Sequence, residues 1–179
     1  MSYLIRLTEN RPDVEIQKGI AAAIKHATDM WAPLQYEGEY PSKGFGITTL
    51  RPRDVYTAST MLGSAYWTIS IAAASTWQDW IDVALTDMAY VIVTGIFNID
   101  PAPKTVEIRG KCAGNDLPVV NIEEMYAWDL ARAWFTKPFW AKPSDGITIR
   151  AMGKAATTVG ERLGLLGYTV GKRAYLIKE

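Results

Sequence analysis

Hydrophobic residues recur along this chain with two different periods, and the change from one to the other divides it. Near the N-terminus Ile16, Ile20, Ala23, Ile24, Ala27 and Trp31 stand at helical spacing, with Glu15, Lys18, Lys25 and Asp29 on the other face. This pattern predicts one amphipathic helix from about Asp13 to Met30. Asn10-Arg11-Pro12-Asp13 supplies its start, because proline suits the first turn and an acid there meets the positive end of the helix dipole. From Tyr66 onward the period is two. Trp67, Ile69 and Ile71 alternate with Thr68 and Ser70. Val106 and Ile108 are set against Glu107, Arg109 and Lys111, and Ile147, Ile149 and Ala151 against Thr148, Arg150 and Met152. Successive side chains of a strand point to opposite faces, so each stretch predicts a half-buried strand.

Other segments read as strands by residue type. Tyr3 to Leu7 is a short candidate. Tyr90-Val-Ile-Val-Thr-Gly-Ile-Phe is β-branched and aromatic, with a bulge or bend expected at Gly95. Ala133 to Ala141 is another, and the glycine-spaced run from Leu163 leads through Tyr168 and Val170 into a last hydrophobic strand carrying Ala174 and Leu176. Trp77 to Met88 fits either a helix or a strand, and its strand-like flanks favour a strand. Asp100-Pro-Ala-Pro, Gly114-Asn-Asp and Lys142-Pro-Ser-Asp-Gly are turns. Asn121 caps a short helix reaching towards Leu130, and Ile47 to Tyr66 reads as irregular. The expectation is a mainly β fold: an antiparallel β-sandwich of about seven or eight short strands with an N-terminal amphipathic helix. Residues 1–46 would form a helix and arm, and 47–179 the sandwich.

The order of elements from Trp67 to Glu179 resembles the single jelly-roll of virus structural, capsid-type proteins. The residues that carry the likeness are Tyr90-Val-Ile-Val-Thr-Gly-Ile-Phe-Asn-Ile-Asp, Pro138-Phe-Trp-Ala-Lys-Pro, and Ile147-Thr-Ile-Arg leading to Gly167-Tyr-Thr-Val. It is a resemblance of strand order over about two thirds of the chain, without a signature motif. It implies a jelly-roll and a structural role. The helix and the aromatic loop after it fall outside it.

Composition narrows the function classes. With 179 residues, 49% of them hydrophobic, the chain can bury a sizeable core as one domain. Lys+Arg and Asp+Glu each number 19, so bulk charge does not hold a nucleic acid or an anionic membrane. The longest apolar run, Met88 to Ile99, is too short to span a bilayer. Met1-Ser-Tyr-Leu-Ile-Arg carries no signal-peptide pattern, so a soluble product is expected. The single cysteine, Cys112, allows neither an intrachain disulfide nor a cysteine zinc site, and reads as an inert small residue.

Catalytic chemistry is sparse. The sole histidine, His26, lies within the helical pattern, so neither a histidine metal site nor a nucleophile–histidine pair can be assembled. No phosphate-cradling glycine loop occurs. Asp79 with Asp82, and Glu123 with Glu124, are the carboxylate pairs a glycosidase could use, and they read more simply as solvated turn and cap residues. Arg150, Lys154, Lys172 and Arg173 could form a basic face. No catalytic residue, metal or cofactor is assigned.

The expected function is therefore a non-enzymatic structural subunit that assembles with copies of itself in a virion or other extracellular assembly. The alternative is a carbohydrate-binding module, or a carboxylate-dependent glycosidase, on the same sandwich. Seven tryptophans and nine tyrosines suit either reading, since these residues concentrate at contact surfaces. The interface candidates are Ile20, Ile24 and Trp31 on the helix, and Tyr36, Tyr40 and Phe45 in the loop that follows. The helix stripe must be buried against its own subunit or a neighbour.

Overall fold

The computed structural model describes residues 5–6, 12–31, 44–55, 67–157 and 160–176. In chain order the elements are β1 (Ile5–Arg6), α1 (Val14–Trp31), β2 (Phe45–Thr49), α2 (Pro52–Val55), β3 (Trp77–Ala84), β4 (Ala89–Asn98) and β5 (Thr105–Cys112). They continue with β6 (Asn115–Asp116), β7 (Val120–Asn121), α3 (Ile122–Ala127), β8 (Arg132–Ala141), β9 (Gly146–Gly153), β10 (Leu163–Lys172) and α4 (Arg173–Leu176). The strands form two antiparallel sheets in an open, sandwich-like arrangement. The first has the order β1-β8-β4-β10-β2, and the second β3-β9-β5-β6 with β7 also paired to β5.

The main core lies between the sheets. Val91, Val93, Ile96, Phe135 and Leu165 of the first sheet meet Ile81, Ile108, Ile147 and Ile149 of the second, all buried. α1 covers the other face of the first sheet. Ala23, Ala27 and Trp31 pack on Tyr90, Ile92 and Val170, and Ile16 and Ile20 pack on Trp134. The layers are thus helix, sheet, sheet. Asp13 starts the helix by accepting from the Ile16 amide at 2.9 Å. Its solvent side is laced by Lys18–Glu15 and Lys25–Asp29 ion pairs.

This layering accounts for the strand patterns. β4 has both faces covered, so its residues are buried almost without interruption, as a continuous apolar run requires. β9 has one face open and alternates strictly. At the expected irregularity in β4, the pairing with β8 shifts between Val93 and Gly95. A Cβ on Gly95 would stand 2.2 Å from the Ala133 carbonyl oxygen, so only glycine allows the strands to approach there.

Several expectations are corrected. The segment expected to be irregular after Ile47 contains most of β2 and all of α2, while 56–66 lie outside the described residues. β2 begins at Phe45, so the boundary drawn at 46 falls inside a strand. The last strand stops at Lys172, and Ala174 and Leu176 belong to the one-turn helix α4. A register shift between Thr105 and Glu107 turns Thr105 inward and leaves Val106 only half-buried. The β5–β6 turn is made by Ala113 and Gly114, both at positive φ, with Asn115 already paired to Cys112. The stretch 67–71 belongs to neither sheet as a strand. Ile69 and Ile71 are buried, and it is tied to the fold by a bridge from Ile69 to Glu161, by bonds between Ile71 and Thr157, and by the Trp80 indole donating to the Thr68 carbonyl. Trp77–Ala84 is a strand, and Asn121 caps α3 by accepting from the Glu124 amide.

The seating of α1 can be tested by truncating its last anchor. Trp31→Ala should lower the unfolding free energy by about 3–5 kcal/mol in urea titration, the range for a large side chain deleted from a packed site. A loss below about 1 kcal/mol would show that the helix is not held on this sheet.

Candidate functional site

A groove of about 570 Å³ runs between α1 and the C-terminal half of β8. Its floor is Pro138, Phe139 and Trp140, its helix wall is Gly19, Ala22, Ala23 and His26, and its rim is Asn115, Asp116 and Lys137. Pro138 can stand in this strand because the described pairing with β1 covers only Trp134 and Phe135, leaving its missing N–H without consequence. Gly19 lets the helix settle there, since a Cβ would come within 3.1 Å of the proline ring. The His26 ring lies 6.0 Å from Trp140 and 6.1 Å from Tyr90, while Lys137 places its ammonium 5.5 Å over Phe139. Trp140 is 46% exposed. Among the described residues, the side chains lining the groove include no hydroxyl or thiol. Stacking on Trp140, with hydrogen bonds to the side chains of His26 and Asn115 and to Asp116 as acceptor, is the chemistry that this arrangement offers.

A second surface lies at the other end of β8. Ile99, Pro101 and Tyr126 line a shallow groove of about 310 Å³ with Asp100 and Asp129. Ile99 is 56% exposed, Tyr126 55% and the adjoining Trp128 70%. None of these was singled out from the sequence. Their signal was a run of aromatics among polar neighbours, Tyr126-Ala-Trp128-Asp129, which also fits a short helix.

The residues proposed from the sequence are distributed differently from the expectation. Ile20 and Trp31 are buried against the chain's own sheet, Ile24 packs against both helix clusters, and Phe45 packs against the cluster that contains Trp31. Tyr36 and Tyr40 lie outside the described residues. Asp79 pairs with Arg150 at 2.8 Å, and Asp82 accepts from the Thr148 hydroxyl at 3.1 Å. Glu123 pairs with Lys154 at 2.8 Å. The basic face does not assemble: Arg150 is on β9 of the second sheet, while Lys172 ends β10 of the first and sits 5.9 Å over Trp31.

Two buried carboxylates hold the sandwich ends. Asp54, fully buried at its side chain, accepts from the Arg51 amide and guanidinium and from the Thr169 hydroxyl at 2.8 Å. Tyr175 also bonds to it. Arg51 and Arg53 then donate to the Leu176 carbonyl at 2.8 and 2.7 Å. α2 and the C-terminal turn are thereby fixed to β10. Glu161 accepts from the amides of Lys104 and Thr105 and so anchors the start of β5.

Cys112 is fully buried, and burial with the nearby Asp145 charge pushes its thiol from about 9 up to about 12. Burial also raises the Tyr90 hydroxyl well above its ordinary value of 10. Among the described residues, no three His, Cys, Asp or Glu side chains converge as a metal-binding group, and no helix is long and apolar enough to cross a membrane. No family model matches the chain, and no curated protein or solved structure matches it.

Two measurements follow. Removing Asp54 strands Arg51 and Thr169, so Asp54→Ala should cost about 3–5 kcal/mol. Thr169→Val should cost about 1 kcal/mol, and equal losses would refute the role assigned to Asp54. Cys112 and Tyr90 keep their protons in the folded state above the pH at which the unfolded chain releases them. Stability is therefore full below about pH 8 and falls as pH rises past 9, by at most about 1.4 kcal/mol per pH unit for each group. Urea midpoints at pH 8, 9 and 10 should show this decline, and Cys112→Ala should flatten it.

Proposed function

We propose that this chain is a self-assembling structural subunit built on a jelly-roll, of the kind used in virions or other extracellular assemblies. The strand order supports the jelly-roll. Counting from β2 to β10, with β6 and β7 taken as one strand, the sheets read first-eighth-third-sixth and second-seventh-fourth-fifth. That alternation is the paired Greek key of a jelly-roll. The observation that carries assembly is the exposure of Ile99 and Tyr126, which line one groove, and of Trp128 at the end of the same short helix as Tyr126. Large aromatics at such exposure are costly to leave in water and are the side chains that anchor subunit contacts. With the α1 stripe turned onto its own sheet, this end of the sandwich is the better contact surface.

A second reading, a glycan-binding module, is favoured by one observation, the half-exposed Trp140 above the polar rim of the helix groove.

Light scattering separates the two. The full chain at micromolar concentration should be oligomeric, and Trp128→Glu should shift it to monomer with its melting temperature unchanged. A monomer across the micromolar range would overturn the assembly reading. If that monomer also binds glycans, with loss of binding in Trp140→Ala, the module reading takes its place.

A further inference from the structure

The outer face of the second sheet holds an arrangement that neither reading uses. On this face Arg150 of β9 stands directly between Asp79 of β3 and Arg109 of β5. Like charges placed directly opposite each other weaken a sheet. Asp79 forms an ion pair with Arg150 at 2.8 Å. Arg109 instead lies over the Trp77 ring, 3.7 Å from its centre, and has no carboxylate in ion-pair range among the described residues. Lys111, two residues further along β5, is held loosely by Asp116 at 3.7 Å, with both side chains mostly exposed. Glu107 is one row away, opposite Met152, and does not line the groove.

Arg109, Lys111, Thr148 and Arg150 line one groove of about 350 Å³, walled on its far side by Leu117 and Val119. Three cations line it with one carboxylate, Asp116, which engages Lys111; from β3, Asp79 pairs with Arg150 and Asp82 accepts from the Thr148 hydroxyl. Among the lining residues, positive charge is concentrated at the directly opposed Arg109–Arg150 pair. Guanidinium forks match the oxygens of a tetrahedral anion, and an apolar wall strengthens the attraction by lowering the local dielectric. We propose that this groove binds a tetrahedral oxyanion, phosphate or sulfate, whose oxygens bridge Arg109 and Arg150 and relieve their repulsion. The site is local, so it is compatible with a chain of zero net charge.

The test is thermal unfolding of the full chain at pH 7 and constant ionic strength, with chloride replaced stepwise by inorganic phosphate or sulfate. The expected result is a saturable rise in melting temperature, about 3–6 °C at tenfold excess over the dissociation constant. Arg109→Gln should abolish the rise, since it removes a guanidinium without stranding a carboxylate. Lys25→Gln, on α1, should keep it. Arg150→Gln adds support if it folds, and Arg109→Gln decides the matter if it does not. Equal melting temperatures in phosphate, sulfate and chloride would overturn the proposal, as would a full rise in Arg109→Gln. A short oligothymidylate distinguishes the source. A rise at much lower phosphate-equivalent concentration points to the phosphodiesters of a nucleic-acid strand, and a response to the inorganic ions alone points to free anions.

Discussion

The structure depends on covering the first sheet from both sides. β4 carries Tyr90 and Ile92 on one face and Val91 and Val93 on the other, all buried. Such a strand is stable in water only if two separate layers remove it from solvent. The second sheet provides one layer and α1 the other. The helix is therefore a structural layer of the domain: without it Tyr90, Ile92, Trp134 and Val170 would form an apolar sheet face open to water. An amphipathic helix beside a sandwich can be read as an arm reaching for a neighbour. Here its stripe is matched by outward apolar residues on strands that the sandwich core does not use.

Once the apolar layers are in place, polar groups close their ends. Asp54 and Glu161 are buried carboxylates whose oxygens are taken up by backbone amides, a guanidinium and hydroxyls. Burying a charge is unfavourable unless its lone pairs are satisfied, so each carboxylate specifies one arrangement of the segments that surround it. The first fixes α2 and α4 to β10. The second fixes the start of β5 to the segment before β10. Both join parts of the chain far apart in sequence, with 115 residues separating Asp54 from Thr169.

The surfaces then divide by role. One sheet face is sealed by a helix, and the other is open and striped with paired charges. The exposed aromatics stand at the ends of β8, Trp140 at one and the Tyr126–Trp128 cluster near the other. The assembly reading concerns a region of its own, whereas the glycan and oxyanion grooves adjoin at Asp116, which lines both.

Much of the fold was legible from local pattern. The helix, its Asp13 start, the half-exposed strands β5 and β9, the Asn121 cap and the irregularity at Gly95 all arise from short-range periodicity, turn chemistry and capping. The apolar run from Tyr90 indicated a strand, but not that a helix would cover its outer face. What pairing and packing decided could not be read locally. A register shift moved Thr105 inward in place of Val106, and the demand for carbonyl acceptors at Arg51 and Arg53 favoured a helical turn at Arg173–Leu176 where the sequence suggests a strand. The candidate sites belong to the same class. His26, Asn115 and Trp140 come from a helix, a hairpin and a strand, and Arg109 meets Arg150 only across a strand pair. The sequence by itself determined the long helix and most of the long strands, because periodicity is set over a few residues. Only the tertiary structure decided which faces would meet and which would remain in solvent, because that depends on contacts between distant segments.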